Sequence, residues 1–188
     1  MSKRMPSYRR EYGGSLLELM AVVLIVAVLA TMTMPLVYQQ MATREIDTIA
    51  RRFIIHAQFA RGQALALGTT VRITPLRDNL WDEGWVVKSA CEEIKLRSAC
   101  RDRVWLSQSD IYPVYFKGGG KQFIDPHSSK RGIAFNAAGA AKTAQGGFVA
   151  NRLILGYERD SRLERQLILG SGGRWRICDP SKDLKACR

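Results

Sequence analysis

The run from Leu19 to Val37 contains nothing more polar than Thr31 and Thr33, and a carboxylate, Glu18, stands immediately before it. As a helix, a stretch of about 20 apolar residues crosses the roughly 30 Å hydrocarbon core of a bilayer. The run therefore belongs to a membrane anchor and leaves roughly 150 residues for one ordinary domain with a core of its own. An acid placed in hydrocarbon costs roughly 2.5–3.5 kcal/mol on insertion scales, so Glu18 implies a partner, and a newly exposed amino terminus is the natural one. A secretory signal or a plain anchor is the competing reading. A secretory signal carries its charge before the apolar run and small residues at the far end, where the peptidase cuts. Here the far end reads TMTMPLVYQQM and the acid is at the front.

Charge sets the topology. Met1 to Gly13 holds Lys3, Arg4, Arg9 and Arg10 against Glu11. The positive-inside rule keeps this segment cytoplasmic and puts everything beyond the apolar run outside the inner membrane. Of the formal charge of +12, the segment carries +3, so +9 remains on the rest of the chain. A basic exported domain suits an acidic partner, such as nucleic acid, anionic lipid or an acidic subunit.

The four cysteines fall as two pairs of equal spacing, Cys91 with Cys100 and Cys178 with Cys187. In an oxidising compartment that spacing suits two local disulfides, each contributing about 2–3 kcal/mol on the chain-entropy model. A zinc site is the alternative use of four cysteines. It lacks the close CxxC pairs such sites show, and His56 and His127 are distant in sequence from any cysteine.

Helical periodicity continues past the apolar run. Ile46, Ile49, Phe53, Ala57, Ala60, Ala64 and Leu67 recur at steps of three and four, with Arg44, Arg51, Arg52, Gln58 and Arg61 on the other faces. The pattern predicts a helix from about Ser15 to Leu67, short of one hydrogen bond at Pro35 and stopped by Gly68. Beyond it the period becomes that of strands: 69–74, 85–89, 112–116, 132–136, 152–157, 165–169 and 174–178, separated by Gly, Pro, Asn and Asp. The last three read as a meander, and Lys117 to Lys130 reads as an exposed loop. The expected fold class is α+β, one long N-terminal helix with a transmembrane first half, packed on an antiparallel β-sheet.

The hexapeptide Gly13 to Glu18, GGSLLE, resembles the class III signal of type IV pilins and type II secretion pseudopilins: a short basic leader, a glycine, and a mature chain whose fifth residue is glutamate. Aligned on Glu18, the resemblance puts the peptidase cut after Gly13 and makes Gly14 the first mature residue, where the family usually has phenylalanine. Pro35 falls where pilin-like helices commonly carry a proline. The resemblance implies that Glu18 pairs with the N-terminal amine of a neighbouring subunit during assembly. It also implies a division into residues 1–13, a basic prepilin leader; 14–38, a transmembrane and assembly helix; and 39–188, a periplasmic pilin-like globular domain.

The order of elements resembles the GspH/FimT family of minor pilins and pseudopilins over nearly the whole mature chain. The pieces that carry it are ARGQALALGTTVRI from Ala60, WDEGWVV at Trp81 to Val87, GIAFNAAG at Gly132 to Gly139, and GRWR at Gly173 to Arg176. Implied partners are other pilins or pseudopilins through the N-terminal helix, prepilin peptidase, and the inner membrane. The implied location is a single pass in the inner membrane with a periplasmic domain, then an extracellular pilus after assembly.

GRWR matches the GRxR motif that in FimT-like minor pilins has been linked to DNA binding during natural transformation. In a strand, Arg174 and Arg176 share a face about 7 Å apart, so both guanidinium groups reach neighbouring phosphates of one backbone. Trp175 then points the other way, toward the core. Lys182, Lys185 and Arg188 extend the positive charge along the Cys178 to Cys187 loop, and Arg159 and Arg162 in the preceding hairpin join them. Two arginines on an outward strand are equally a solvated surface, and Asp179 and Asp183 dilute the field. The expected function is a FimT-like minor type IV pilin that binds DNA without sequence preference, for uptake in natural transformation. The alternative is a GspH-like minor pseudopilin of a type II secretion system with a structural role.

Enzymatic chemistry finds little support. GGGK at Gly118 to Lys121 lacks the Ser or Thr and the leading glycine of a P-loop. His56 sits beside the apolar helical stripe, and His127 has no paired nucleophile or acid. Asp78, Asp82 and Glu83 form no metal-ligand pattern and read as a satisfied loop. Neither a cofactor nor a metal is expected.

Overall fold

A single helix, α1, runs from Leu16 to Leu67 with Pro35 inside it. The computed structural model describes residues 15–77, 80–89, 103–118, 123, 132–141, 147, 150–170, 172–185 and 187. Gly13, Gly14, Asp78, Cys91, Cys100, His127, Arg188, the leader and most of the expected loop 117–130 lie outside the described residues. The chain divides into two compact units, Met1–Met41 and Ala42–Arg188.

In the first unit α1 starts at Ser15, whose carbonyl accepts from the Glu18 and Leu19 N–H groups and whose hydroxyl oxygen accepts from Leu17 N–H. Every side chain from Leu16 to Met41 is exposed, and the helix is long and apolar enough to cross a membrane. Its two threonines need nothing from outside. The Thr31 hydroxyl donates to the Val28 carbonyl at 2.7 Å and the Thr33 hydroxyl to the Ala30 carbonyl at 3.1 Å. A helix that satisfies its own polar groups suits hydrocarbon.

The second unit holds the rest of α1 and eight strands: β1 (Val71–Arg77), β2 (Leu80–Ser89), β3 (Val104–Ser109), β4 (Val114–Gly118), β5 (Ile133–Phe135), β6 (Asn151–Tyr157), β7 (Asp160–Leu169) and β8 (Trp175–Cys178). They form two four-stranded antiparallel sheets, ordered β3-β2-β1-β5 and β4-β6-β7-β8. The expected antiparallel architecture is present, but as two sheets where the sequence suggested one, and β3 is an addition. VWLSQS forms an edge strand with few buried positions, so its alternation is too faint to read. The meander β6-β7-β8 is as expected. A link between the sheets comes from Asp82 on β2, whose carboxylate accepts the Phe116 N–H of β4.

The buried stripe of α1 is Ala42, Ile46, Ala50, Phe53, Ala57, Ala60 and Ala64. Small residues take most of these positions, and Phe53 fills the centre. Its ring meets Trp85, Trp175 and Trp81 edge-on at centroid distances of 5.0, 5.5 and 5.6 Å. Two expected stripe members differ: Ile49 is half-buried, displaced by Ala50, and Leu67 is exposed, because α1 ends there. Gly68 follows at φ 62°, the left-handed stop expected of a helix C-terminus. His56 is tied to the core, its Nδ1 accepting the Trp85 indole N–H at 3.0 Å. Burial, with the Arg52 charge adding to it, holds the His56 pKa below its ordinary value.

Candidate functional site

The GRWR segment begins in the turn joining β7 to β8. Gly170 N–H donates to the Arg174 carbonyl and Gly173 N–H to the Gly170 carbonyl, both at 2.9 Å. Gly173 has φ 74°, and a Cβ there would stand 3.3 Å from the Arg61 guanidinium. Backbone conformation and packing both call for glycine at this position. Arg61, from α1, donates through Nε to the Gly139 carbonyl at 2.8 Å and through Nη1 to the Gly173 carbonyl at 3.3 Å. The Gly139 carbonyl belongs to the turn of the FNAAG segment, where Asn136 Oδ1 accepts the N–H groups of Ala138 and Ala140. One helical arginine thus fastens two turns.

From this anchor the chain alternates. Arg174 and Arg176 are exposed, and Trp175 between them is half-buried against Phe53 and Phe123, the latter at 5.9 Å. The Trp175 indole N–H meets no acceptor among the described residues. Arg176 pairs across the sheet with Ile168, and Ile168 with Arg152 of β6. Directly opposed residues share a sheet face, so Arg152 and Arg176 stand on one face about 10 Å apart, two strand spacings. Arg152 is exposed and donates to Gln166 Oε1 at 3.2 Å and to the Cys187 carbonyl at 3.3 Å. The sequence reading passed over Arg152; its outward phase on β6, between Asn151 and the inward Leu153, was the available signal.

Cys178 and Cys187 are joined by a disulfide with a Cα–Cα distance of 5.4 Å, closing the loop that carries Lys182 and Lys185, both exposed. Inside that loop Asp179 accepts from Ser181 and contacts Arg165 at 3.1 Å and Lys182 at 3.8 Å. Burial pushes the Asp179 carboxyl up, but the Ser181 hydrogen bonds and the Arg165 and Lys182 charges outweigh it and hold the pKa below the usual value. Arg165 is itself buried and also binds Asp47 of α1 at 2.7 Å. Asp179 is thereby committed largely to a buried cation.

Arg162 lies apart from this group. It is exposed near the start of β7, whereas Arg176 opposes Ile168 near its end, about 20 Å along the strand at about 3.4 Å per residue. Arg174 and Arg176 lie toward the end of β7 remote from Arg162, while Lys182, paired with the Asp179 that binds Arg165, belongs with Lys185 to the loop after β8. Of the acidic residues near Trp81, Asp82 and Glu83 lie on β2, not in a loop; Glu83 pairs with Arg77 at 3.1 Å. Among the described residues no three His, Cys, Asp or Glu side chains are grouped to hold a metal.

A helix able to cross a membrane, continuing as the spine of an antiparallel α+β unit, defines a type IV pilin-like protein. Residues 50–173 match the family model described as Type II transport protein GspH, and the chain belongs to this GspH/FimT family of minor pilins and pseudopilins. Among solved structures it is similar to the type IV minor pilin FimU of Pseudomonas aeruginosa, with 16% identity, a TM-score of 0.53, and coverage of 77% of this chain and 96% of that one. The minor pseudopilin EpsH of Vibrio cholerae is similar at 10% identity and a TM-score of 0.50, over 72% of this chain and 98% of that one. At such identities the likeness is one of fold. Among curated proteins none matches.

Proposed function

We propose that this chain is a FimT-like minor type IV pilin that joins a pilus and binds DNA without sequence preference through its C-terminal edge, in DNA uptake for natural transformation. The observation that carries the reading is the exposure of Arg174 and Arg176 on either side of a Trp175 held against Phe53. Two guanidinium groups on a clamped turn and strand meet a phosphate backbone with little ordering left to do; Arg152, on the same sheet face two strands away, and Lys182 and Lys185, in the loop after β8, add positive charge. Such contacts are phosphate-led and salt-sensitive. In this reading residues 1–13 are the prepilin leader, cut between Gly13 and Gly14, and Glu18 pairs with a neighbour's amine. Residues 14–38 anchor the chain in the inner membrane, and 39–188 are periplasmic before assembly carries them to the cell exterior.

A second reading, a minor pseudopilin of a type II secretion system, is favoured by the description of the matched family as a type II transport protein. Anisotropy titration of a labelled DNA duplex with the full chain in detergent micelles separates the two. Arg174→Ala with Arg176→Ala is expected to remove most of the binding and to lower the salt slope by about 2, roughly 0.9 per lost phosphate contact, with an unchanged melting curve. Absence of binding by the unmodified chain at low salt would leave the pseudopilin reading standing.

A further inference from the structure

Within the second unit a groove of about 460 Å³ lies beside α1 at the β7–β8 turn, its lining including Gln58, Arg61, Gly62, Gly173 and Arg174. Two arginines line this concavity, and among the described residues no carboxylate does. Like charges brought together without a counter-charge raise the local potential and favour an anionic occupant. The bonds to Gly139 and Gly173 engage Nε and Nη1 of Arg61 and leave Nη2, while Arg174 is exposed at the turn. Two lining positions carry no side chain, and a Cβ at one of them, Gly62, would meet nothing within 4 Å among the described residues.

We propose that this groove seats a phosphodiester of the bound DNA between Arg61 and Arg174, extending the contact surface from the C-terminal strand onto α1. The proposal rests on the DNA-binding reading above and adds a helical half to it. Arginine suits the position because its remaining Nη2 donates a charge-assisted hydrogen bond to a phosphate oxygen while the two carbonyl bonds keep the guanidinium oriented.

Gln58 allows a test that leaves the Arg61 bonds intact, because its exposed side chain lines the groove without taking part in them. The full chain in micelles is titrated with a labelled DNA duplex as Gln58→Lys and Gln58→Glu, beside Gln63→Lys and Gln63→Glu, a neighbouring position that does not line the groove. Gln58→Lys is expected to tighten binding severalfold and to raise the salt slope by about 1, and Gln58→Glu to weaken binding severalfold. The Gln63 pair should move it much less. No response at Gln58, or an equal response at Gln63, overturns the proposal. Binding that is lost in the Arg174/Arg176 double variant yet indifferent to Gln58 overturns the groove alone. An unmodified chain that does not bind overturns the DNA reading with it.

Discussion

From Leu16 to Met41 every side chain of α1 is exposed, whereas between Ala42 and Ala64 a stripe recurring at three and four residues is buried to 9% exposure or less. One continuous helix is thus written in two styles. The first part is apolar all round and dominated by Leu, Val, Ile and Met, which suits fluid lipid tails that conform to any side chain. The second puts alanine at most buried positions, because a sheet is a fixed surface whose own large side chains, such as Trp81, Trp85, Phe116 and Phe135, fill much of the space and leave room for small ones from the helix. Its one fully buried aromatic, Phe53, sits where three tryptophans converge. The difference teaches that apolar content alone does not say what a helix packs against; the size and phase of the residues do.

The comparison breaks most readily at Phe53. Phe53→Ala is expected to lower the unfolding free energy of the second unit by about 3–5 kcal/mol, read by urea titration of tryptophan fluorescence in micelles. Leu24→Ala, in the exposed half, should leave that midpoint unmoved; an equal loss there would mean that the two halves are not distinct. Next in size is a charge in the exposed half. Leu24→Arg is expected to cost roughly 2.5–3.5 kcal/mol of insertion and to shift chain from the carbonate-resistant membrane fraction to the extractable one. Retention equal to that of the unmodified chain would argue against a membrane setting for this half.

The smallest effect concerns pH. Burial and then Arg52 lower the His56 pKa from 6.5, so the folded unit binds fewer protons at this site than the unfolded chain. Its stability contribution is full above pH 6.5 and declines as the pH falls toward the depressed folded value, where protonation of Nδ1 would break the bond from Trp85. Urea midpoints should therefore fall through this window and flatten in His56→Gln. Asp179 acts lower on the scale, because its depressed pKa makes its stabilisation vanish only as the pH drops below 3.8. A wild-type midpoint that rises on acidification from neutral would contradict the sign for His56.

Much of the architecture was legible because it is written locally. The apolar run, the helical stripe through Phe53, the stop at Gly68, the meander of β6 to β8 and the pairing of Cys178 with Cys187 all depend on spacings within one element or between neighbours. The candidate site was legible in part. Alternation alone put Trp175 inward and Arg174 and Arg176 outward, but Arg152 and Arg61 went unremarked as companions of the motif, since each reaches it from a separate element. Arg162 appeared adjacent because it is near in sequence, and the antiparallel register carries it to the far end of β7.

By itself the sequence determined the membrane-length helix headed by Glu18, the change from helical to strand period after Gly68, and the family, since each is a pattern of residue types at fixed intervals. The tertiary structure alone decided how eight strands divide into two sheets, which glycine carbonyls Arg61 fastens, and that Asp179 answers a buried Arg165 while Lys182 and Lys185 stay exposed. Those outcomes depend on register and packing between segments far apart in the chain. No local spacing records them, because the free energy that selects them exists only once the segments meet.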